Sequence, residues 1–344
     1  MKILSLFDGI SAGQLALQRA GIAVDAYYAS EVDKYAISVT QNAYPNTIQL
    51  GDVTKWREWD IPWGEIDLVI GGSPCQGFSF AGKQLNFDDP RSALFFVFVD
   101  ICHRVADDNP KMRFMLENVR MKKEYQDVIT GYFGVQPIAI NSSLVSAQNR
   151  YRLYWTNIPN VTQPEDKSLL LKDILQDEID DKYYLSDEVV NRFKPVDSKS
   201  HVGTTKPDFR TIGQRDLVYG EDNKIGCLIA TDYKQPKQVL IRVPEATKKG
   251  YVEVQPNEGV DLTFINSKTR RGRLMKNKSN CLTATNYDYC WYDGYICRKL
   301  TPIECERLQT FPDNWTEGIS DTQRYKALGN SWTVDIVAHI FKNL

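Results

Sequence analysis

Cys75 stands in Gly71-Gly72-Ser73-Pro74-Cys75-Gln76-Gly77-Phe78-Ser79, directly after the apolar run Ile66 to Ile70. A packing cysteine would sit inside such a run. This one sits at its exit, in a turn made sharp by glycines and a proline. The exit of a strand in an α/β sheet presents groups to a ligand, so a thiol there is placed for nucleophilic work. A Pro-Cys turn taken alone is ambiguous and more often holds an inert thiol. Glu117 follows Phe114-Met115-Leu116, where a carboxylate is either a structural cap or an acid in a desolvated pocket, able to carry a proton. Arg150 and Arg152 stand at i and i+2. In a strand they share a face, and they form a site for an anion or carbonyl oxygen, or else surface ion pairs.

A second set of residues describes a ligand site. Phe7-Asp8-Gly9-Ile10-Ser11-Ala12-Gly13 joins a predicted strand, 2–7, to a predicted helix, 12–20. Its small residues let a backbone approach a ligand at the positive end of that helix. Glu31 ends the next strand, eighteen residues beyond Gly13, where an acid accepts from ribose hydroxyls. Asp52 ends the third, where a carboxylate can take an adenine amino proton. One such turn means little, but three successive strand ends point to a nucleoside site at the carboxyl edge of a parallel sheet. The loop has Ser11 where G-x-G-x-x-G might place a glycine, which disfavours a dinucleotide. An adenosyl ligand of the sulfonium type fits better.

These groups need a βαβ frame, and about the first 155 residues supply one. Strands are expected at 23–30, 49–53, 66–70 and 113–116, and helices at 12–20, capped by Gly21, and 34–43, stopped by Pro45. The phenylalanine-rich run 94–105 follows Asp89-Pro90-Arg91-Ser92, a helix-start signal, and is expected as a buried helix. After about residue 157 segments shorten, and Lys224–Tyr233 is echoed 54 residues later by Lys278–Tyr287. Thr301-Pro302-Ile303-Glu304 is a capping box, and 334–343 a last helix. The domains expected are 1–157, a β-rich insert at 158–297, and a return to the first domain at 298–344.

Composition narrows the class. The chain has 344 residues, 42% hydrophobic and 25% charged. Its apolar runs fall short of the ~18 residues of a membrane span, and Asp8 interrupts the N-terminal one. Seven cysteines without a C-x-x-C pair, beside three histidines, argue against zinc, any other metal site or a disulfide framework. They point to a reducing, cytoplasmic compartment. Net charge is −2, so only charge distribution speaks of nucleic acid. Lys268, Arg270, Arg271, Arg273, Lys276 and Lys278 fall within eleven residues that contain no acid. They are a solvated loop or a phosphate-contacting segment.

With these stretches in this order, the sequence resembles the DNA (cytosine-5)-methyltransferase family. The stretches are Phe7–Gly13, Glu31, Gly51-Asp52-Val53, Gly72–Ser79, Glu117-Asn118-Val119, Gln148–Arg152, Arg298–Phe311 and Gly329-Asn330-Ser331. Cys75–Ser79 and Leu300–Phe311 look bacterial or phage-like; Leu4–Ile10 and Ser331-Trp332 look closer to the mammalian de novo class. The resemblance implies a Rossmann-like, S-adenosylmethionine-dependent α/β fold whose insert is a target-recognition domain. It implies methylation of cytosine carbon 5 in double-stranded DNA on a flipped-out base, with S-adenosylhomocysteine as product. Cys75 is then the nucleophile, Glu117 the partner of ring nitrogen 3 and the exocyclic amine, and Arg152 the holder of the ring carbonyl. Arg150 braces Cys75 or the neighbouring backbone. Cofactor contacts extend to Val32, Val53, Pro74, Leu94, Asn330, Ser331 and Trp332. DNA contacts are expected at Gln76, Ser79, Arg91, Arg270, Arg271 and Arg273, with Thr231 or Thr285 at base edges, where packing strands are the other reading. A cognate restriction endonuclease is an expected functional partner, and one recognition domain suits a monomer. Relatives that methylate transfer RNA carry Cys-Phe-Thr, which this chain lacks.

Removing charge at Arg270, Arg271 and Arg273 is expected to weaken DNA binding most at low salt. Titrations at several salt concentrations check this, and an unchanged affinity and salt slope would make the cluster a solvated loop.

Overall fold

Apolar runs alternating with helical periods build a seven-stranded sheet in the computed structural model of the chain. It describes residues 1–73, 93–184, 194–195, 201–204, 217–241, 243–248, 250–252, 258–261, 274–275, 289–292 and 296–344. Five strands run parallel: β1 (Lys2–Leu6), β2 (Ala26–Ser30), β3 (Ile48–Gln49), β4 (Leu68–Gly71) and β5 (Arg113–Val119). After β6 (Ile138–Asn141) and the short β7 (Gln148–Asn149) comes β8 (Tyr151–Thr156), antiparallel to both β5 and β6. The order is β3-β2-β1-β4-β5-β8-β6. The chain steps outward from β1 to β3 and returns to β4 beside β1. Ligands bind where strand order reverses in this way.

Register places the site residues. Leu6 pairs with Ser30 on one side and Gly71 on the other, and Gly71 pairs with Leu116. The next residue of each strand therefore falls in one row along the carboxyl edge: Phe7, Glu31, Gly72 and Glu117. The helix α1 (Ala12–Arg19) starts from this edge and ends in a Schellman turn, with Ile22 N donating to Leu17 O and Gly21 N to Gln18 O. The helices α2 (Lys34–Ala43), α3 (Ala93–Asp108) and α4 (Lys123–Phe133) follow. In α3, Phe95, Phe98, Val99, Cys102 and Val105 are buried at helical spacing, as expected of the phenylalanine-rich run.

Four local expectations change. The second strand starts at Ala26, not Ala23, because the N-terminal ammonium binds Ala23 O and the Asp25 carboxylate and so occupies that stretch. The third strand is confined to Ile48–Gln49, because Asp52 instead caps a 3₁₀ turn, Val53–Glu58. The fifth strand continues through Val119, so Glu117 lies inside it: pairing with β8 extends the ladder from Met115 to Val119. The last helix is Val334–Phe341, shorter than 334–343.

By contact density the chain forms two units: Met1–Leu169, Cys227–Tyr233 and Cys305–Leu344, and then Leu170–Gly226 with Lys234–Glu304. The second is β-rich, with a five-stranded sheet whose central strand Leu217–Gly220 runs parallel to Gln238–Ile241. Arg298, on the edge strand Ile296–Lys299, is fully buried and forms two hydrogen bonds, 2.7 and 2.8 Å, to the Glu304 carboxylate. That carboxylate also accepts from Gln176 N and Thr301 N, and Glu304 N donates to Thr301 Oγ1, closing the expected capping box. Arg298→Leu would strand a buried charge. We expect it to destabilise this unit by roughly 3–5 kcal/mol, measured by urea unfolding.

Candidate active site

The loop after β1 turns through three left-handed residues, Phe7, Gly9 and Ser11, each with φ near 60°. Ser11 thus takes the conformation that a glycine would take in the fuller motif. Gly9 N donates to Glu31, 2.8 Å, and Ile10 O accepts from the Trp315 indole, 3.1 Å. The Glu31 carboxylate also accepts from Val32 N and Asp33 N, so three backbone amides hold it in place. Thr54 N and Oγ1 both donate to Asp52 Oδ1 and keep that carboxyl below its ordinary range. Asp8 is different. Its Oδ1 accepts from Ser5 and Tyr27, while its buried Oδ2 has no partner among the described residues. Burial pushes its carboxyl up to about 6.

A cavity of about 460 Å³ opens on this edge. Phe7, Asp8, Gly9, Ile10, Ala12, Glu31, Val32, Asp52, Val53, Leu94, Asn330, Ser331 and Trp332, all singled out from the sequence, line it. Gly13 lies behind it: a Cβ there would meet Ile70 at 2.5 Å and Tyr27 at 2.9 Å. Gly72 is equally constrained, since its Cβ would come within 3.0 Å of Glu117 Oε2 and 3.1 Å of Trp332 Nε1. The helix Asp321–Asn330 adds Gln323, Lys326 and Ala327, which the sequence reading missed. Their spacing back from Asn330 is helical, so they were legible once that stretch was assigned. Lys326 pairs with Asp33 at 2.7 Å.

Glu117, Arg150 and Arg152 line the same cavity. Arg152 Nε lies 2.8 Å from Glu117 Oε1. Register explains the meeting, because Val119 pairs with Arg152 and Glu117 is two residues along the same face. The expected strand through both arginines is interrupted: Arg150 lies between β7 and β8. Its backbone amide donates to the Asn141 side chain, 2.9 Å, rather than to a strand partner. The buried guanidinium donates to Leu228 O (2.8 Å), Ser331 O (2.7 Å) and Gly329 O (3.4 Å). Burial, and then the neighbouring Arg152, lower its proton affinity. Gln148 supports this clamp, binding Leu308 O, Gln309 and Leu228 N.

The whole chain, residues 1–344, matches the family described as C-5 cytosine-specific DNA methylase. The chain belongs to that family. The orphan methyltransferase M.SPRI of Bacillus phage SPR is 29% identical over 438 residues, covering 100% of this chain and 97% of the relative. The type II methyltransferase M.HhaI of Haemophilus parahaemolyticus is 26% identical over 370 residues, covering 100% and 94%. Among solved structures, the Entamoeba histolytica methyltransferase EhMeth aligns with a TM-score of 0.63 at 15% identity, covering 100% of this chain and 97% of that one. A mutant of Spodoptera frugiperda DNMT2 aligns at 0.59 and 18%, covering 99% and 98%. At such identity the structures show a shared fold. The chain is therefore a C-5 cytosine DNA methylase with the α/β fold of the S-adenosylmethionine-dependent enzymes, and its family uses S-adenosylmethionine as methyl donor.

Of the methylase's other expected residues, Pro74, Cys75, Gln76, Ser79, Arg91, Arg270, Arg271, Arg273 and Thr285 lie outside the described residues. Thr231 lies in the 3₁₀ turn Ala230–Lys234, whose first four residues belong to the catalytic unit. Cys227, which the sequence reading assigned only to the echo, sits 3.3 Å from Arg150 Nη1 and 3.6 Å from Arg152 Nη2. No motif marks it; only the fold brings it there.

Asp8 supplies a prediction. An Asp with a folded value near 6 and an ordinary value of 3.8 binds its proton more tightly when folded. The contribution of Asp8 to the stability of the ligand-free methylase therefore falls as pH rises from about 4 to about 6. Asp8→Asn is expected to remove that slope and to stabilise the ligand-free protein at pH 7 by about 1–3 kcal/mol. The same change should weaken S-adenosylmethionine binding. Melting curves across pH and calorimetric titration check both.

Proposed function

We propose that this methylase modifies carbon 5 of a cytosine within one specific duplex sequence, in a restriction-modification or phage self-protection setting. The observation that carries the reading is the Glu117–Arg152 pair opening into the same cavity as the Glu31 and Asp52 carboxylates. The cavity fits S-adenosylmethionine. Glu31 offers acceptors to ribose hydroxyls, Asp52 to an adenine amine, and exposed Val32 an apolar surface to the ring. Asp8 Oδ2 and Ser331 Oγ, buried polar atoms without partners among the described residues, suit the charged ends of the methionine moiety. When bound, the cofactor supplies an electrophilic methyl group and leaves as S-adenosylhomocysteine. The residues assigned here use no metal.

Carbon 5 of cytosine is a poor nucleophile. The Cys75 thiolate adds to carbon 6 and makes the ring enamine-like, so that carbon 5 can accept a methyl group. Glu117 hydrogen-bonds ring nitrogen 3 and the exocyclic amine, and Arg152 holds the ring carbonyl oxygen, where charge builds. Loss of the carbon 5 proton, to a water or another base, breaks the carbon–sulfur bond and returns the thiolate. The base must leave the helix first, at a cost of roughly a few kcal/mol. The β-rich unit carries recognition and the basic cluster contacts phosphates.

Purified protein with S-adenosylmethionine is expected to convert cytosine to 5-methylcytosine at one recurring sequence in a plasmid, read by bisulfite sequencing. Methylation of transfer RNA but not of DNA would overturn the reading. Cys75→Ala should lose turnover by roughly three or more orders of magnitude while still binding cofactor.

A further inference from the structure

Arg150 and Arg152 place two guanidinium groups side by side in one pocket, and Glu117 supplies a carboxylate to only one of them. Like charges at this range repel, most strongly where water is excluded. The sulfur of Cys227 lies between them, accepting from Arg150 Nη1 at 3.3 Å and Arg152 Nη2 at 3.6 Å. Its own thiol can donate to Leu228 O, 3.1 Å away. Burial alone would push that thiol up, but the two arginines outweigh it and bring it down. Burial works in the same way against the charge on Arg152, and Cys227 with Glu117 outweighs it and holds that charge more firmly.

The sulfur is held there by its backbone. Leu228 N donates to Gln148 Oε1, 3.1 Å, and Leu228 O accepts from Arg150. Ile229 N donates to Asp232, 2.9 Å. Ile229 also packs so closely on Gly329 that a Cβ there would lie 2.3 Å from its carbonyl carbon. The segment Cys227–Tyr233 is thus part of the catalytic unit, although the chain on both sides of it belongs to the other.

We propose that Cys227 is a positioning residue for methyl transfer, its sulfur holding one edge of Arg152 so that the guanidinium stays turned toward the carbonyl oxygen of the target base. This rests on the role given to Arg152 above. Arg152 then has each part assigned: Nε to Glu117, Nη1 to Tyr151 O, and Nη2 steadied by Cys227. The sulfur is a weak acceptor, so it orients the guanidinium while leaving it free to bind a stronger one.

The test is single-turnover methylation of unmodified plasmid DNA by Cys227→Ala, Cys227→Ser, Arg152→Ala and Arg152→Ala combined with Cys227→Ala. Cys227→Ala should slow methyl transfer roughly 10- to 100-fold with unchanged melting temperature and S-adenosylmethionine affinity. Cys227→Ser, which keeps an acceptor, should recover most of the rate. In the Arg152→Ala background, removing Cys227 should cost nothing further. A wild-type rate in Cys227→Ala overturns the proposal, as does an additive loss in the double variant. So does early melting with lost cofactor binding in both single Cys227 variants, which would assign the residue to packing. If Arg152→Ala itself keeps the wild-type rate, it is the assignment of Arg152 that fails.

Discussion

A buried guanidinium must be met by acceptors, and in this protein that requirement falls on Arg150. Only 3% of it is exposed, so every donor left unpaired would carry a large desolvation cost. The structure meets it with carbonyls from Leu228, Gly329 and Ser331, three places far from it in sequence. One side chain thereby fastens the end of helix Asp321–Asn330 and the Cys227–Tyr233 segment to the sheet edge. Gln148 and Gln309 tighten the same junction: Gln309 binds Leu328 O and accepts from Thr333. Without this clamp the cavity would lose its far wall, and Arg152 its neighbours.

Close approach sets the second condition. The parts of the cavity proposed for the cofactor and for the base meet at Gly72, where Glu117 and Trp332 come too near for a side chain to stand between them. At Gly71, a Cβ would lie 2.8 Å from both Leu6 O and the Phe98 ring. The two glycines at the end of β4 thus serve two purposes: Gly71 lets α3 pack, and Gly72 lets the two parts of the cavity join. The helix carrying Lys326 and Asn330 is held from behind by buried Glu306, which accepts from Arg324, Asn314 N and Thr316 N. Lys326 ties the same helix across the mouth to Asp33, whose Oδ1 caps α2.

The two parts are electrostatically distinct. Around Glu31 and Asp52, backbone amides and a hydroxyl satisfy the carboxylates, suiting them to accept from neutral hydroxyls and amines. Asp8, by contrast, has donors on Oδ1 alone, and its Oδ2 is buried without a partner among the described residues. Such a carboxyl is costly in the empty protein and favours a cation when one arrives. The part proposed for the base carries two arginines against one carboxylate, an excess suited to a carbonyl oxygen that gains negative charge.

Local signals were enough for the frame. Apolar runs of strand length, the Gly21 cap, the Thr301–Glu304 capping box and the phenylalanine-rich helix depend on neighbours a few residues away, and their types determine them. Asp8, Glu31 and Asp52 were legible at this edge too, because in a parallel sheet every strand ends on the same side, although Asp52 caps the turn after its strand. What sequence alone could not show follows from long-range pairing. The ladder with β8 draws Glu117 into its strand and brings it to Arg152. The Asn141 side chain takes the Arg150 amide where the strand was expected, and three remote carbonyls take its guanidinium. Cys227 reaches the pocket because the echoed segment Cys227–Tyr233 belongs to the same unit as the sheet, where Leu228 O meets that arginine. Residue type and spacing determined which chemistry the chain can perform. Only tertiary structure decided which partner each charged group has, because a buried charge is governed by whichever acceptors the fold brings within about 3 Å of it.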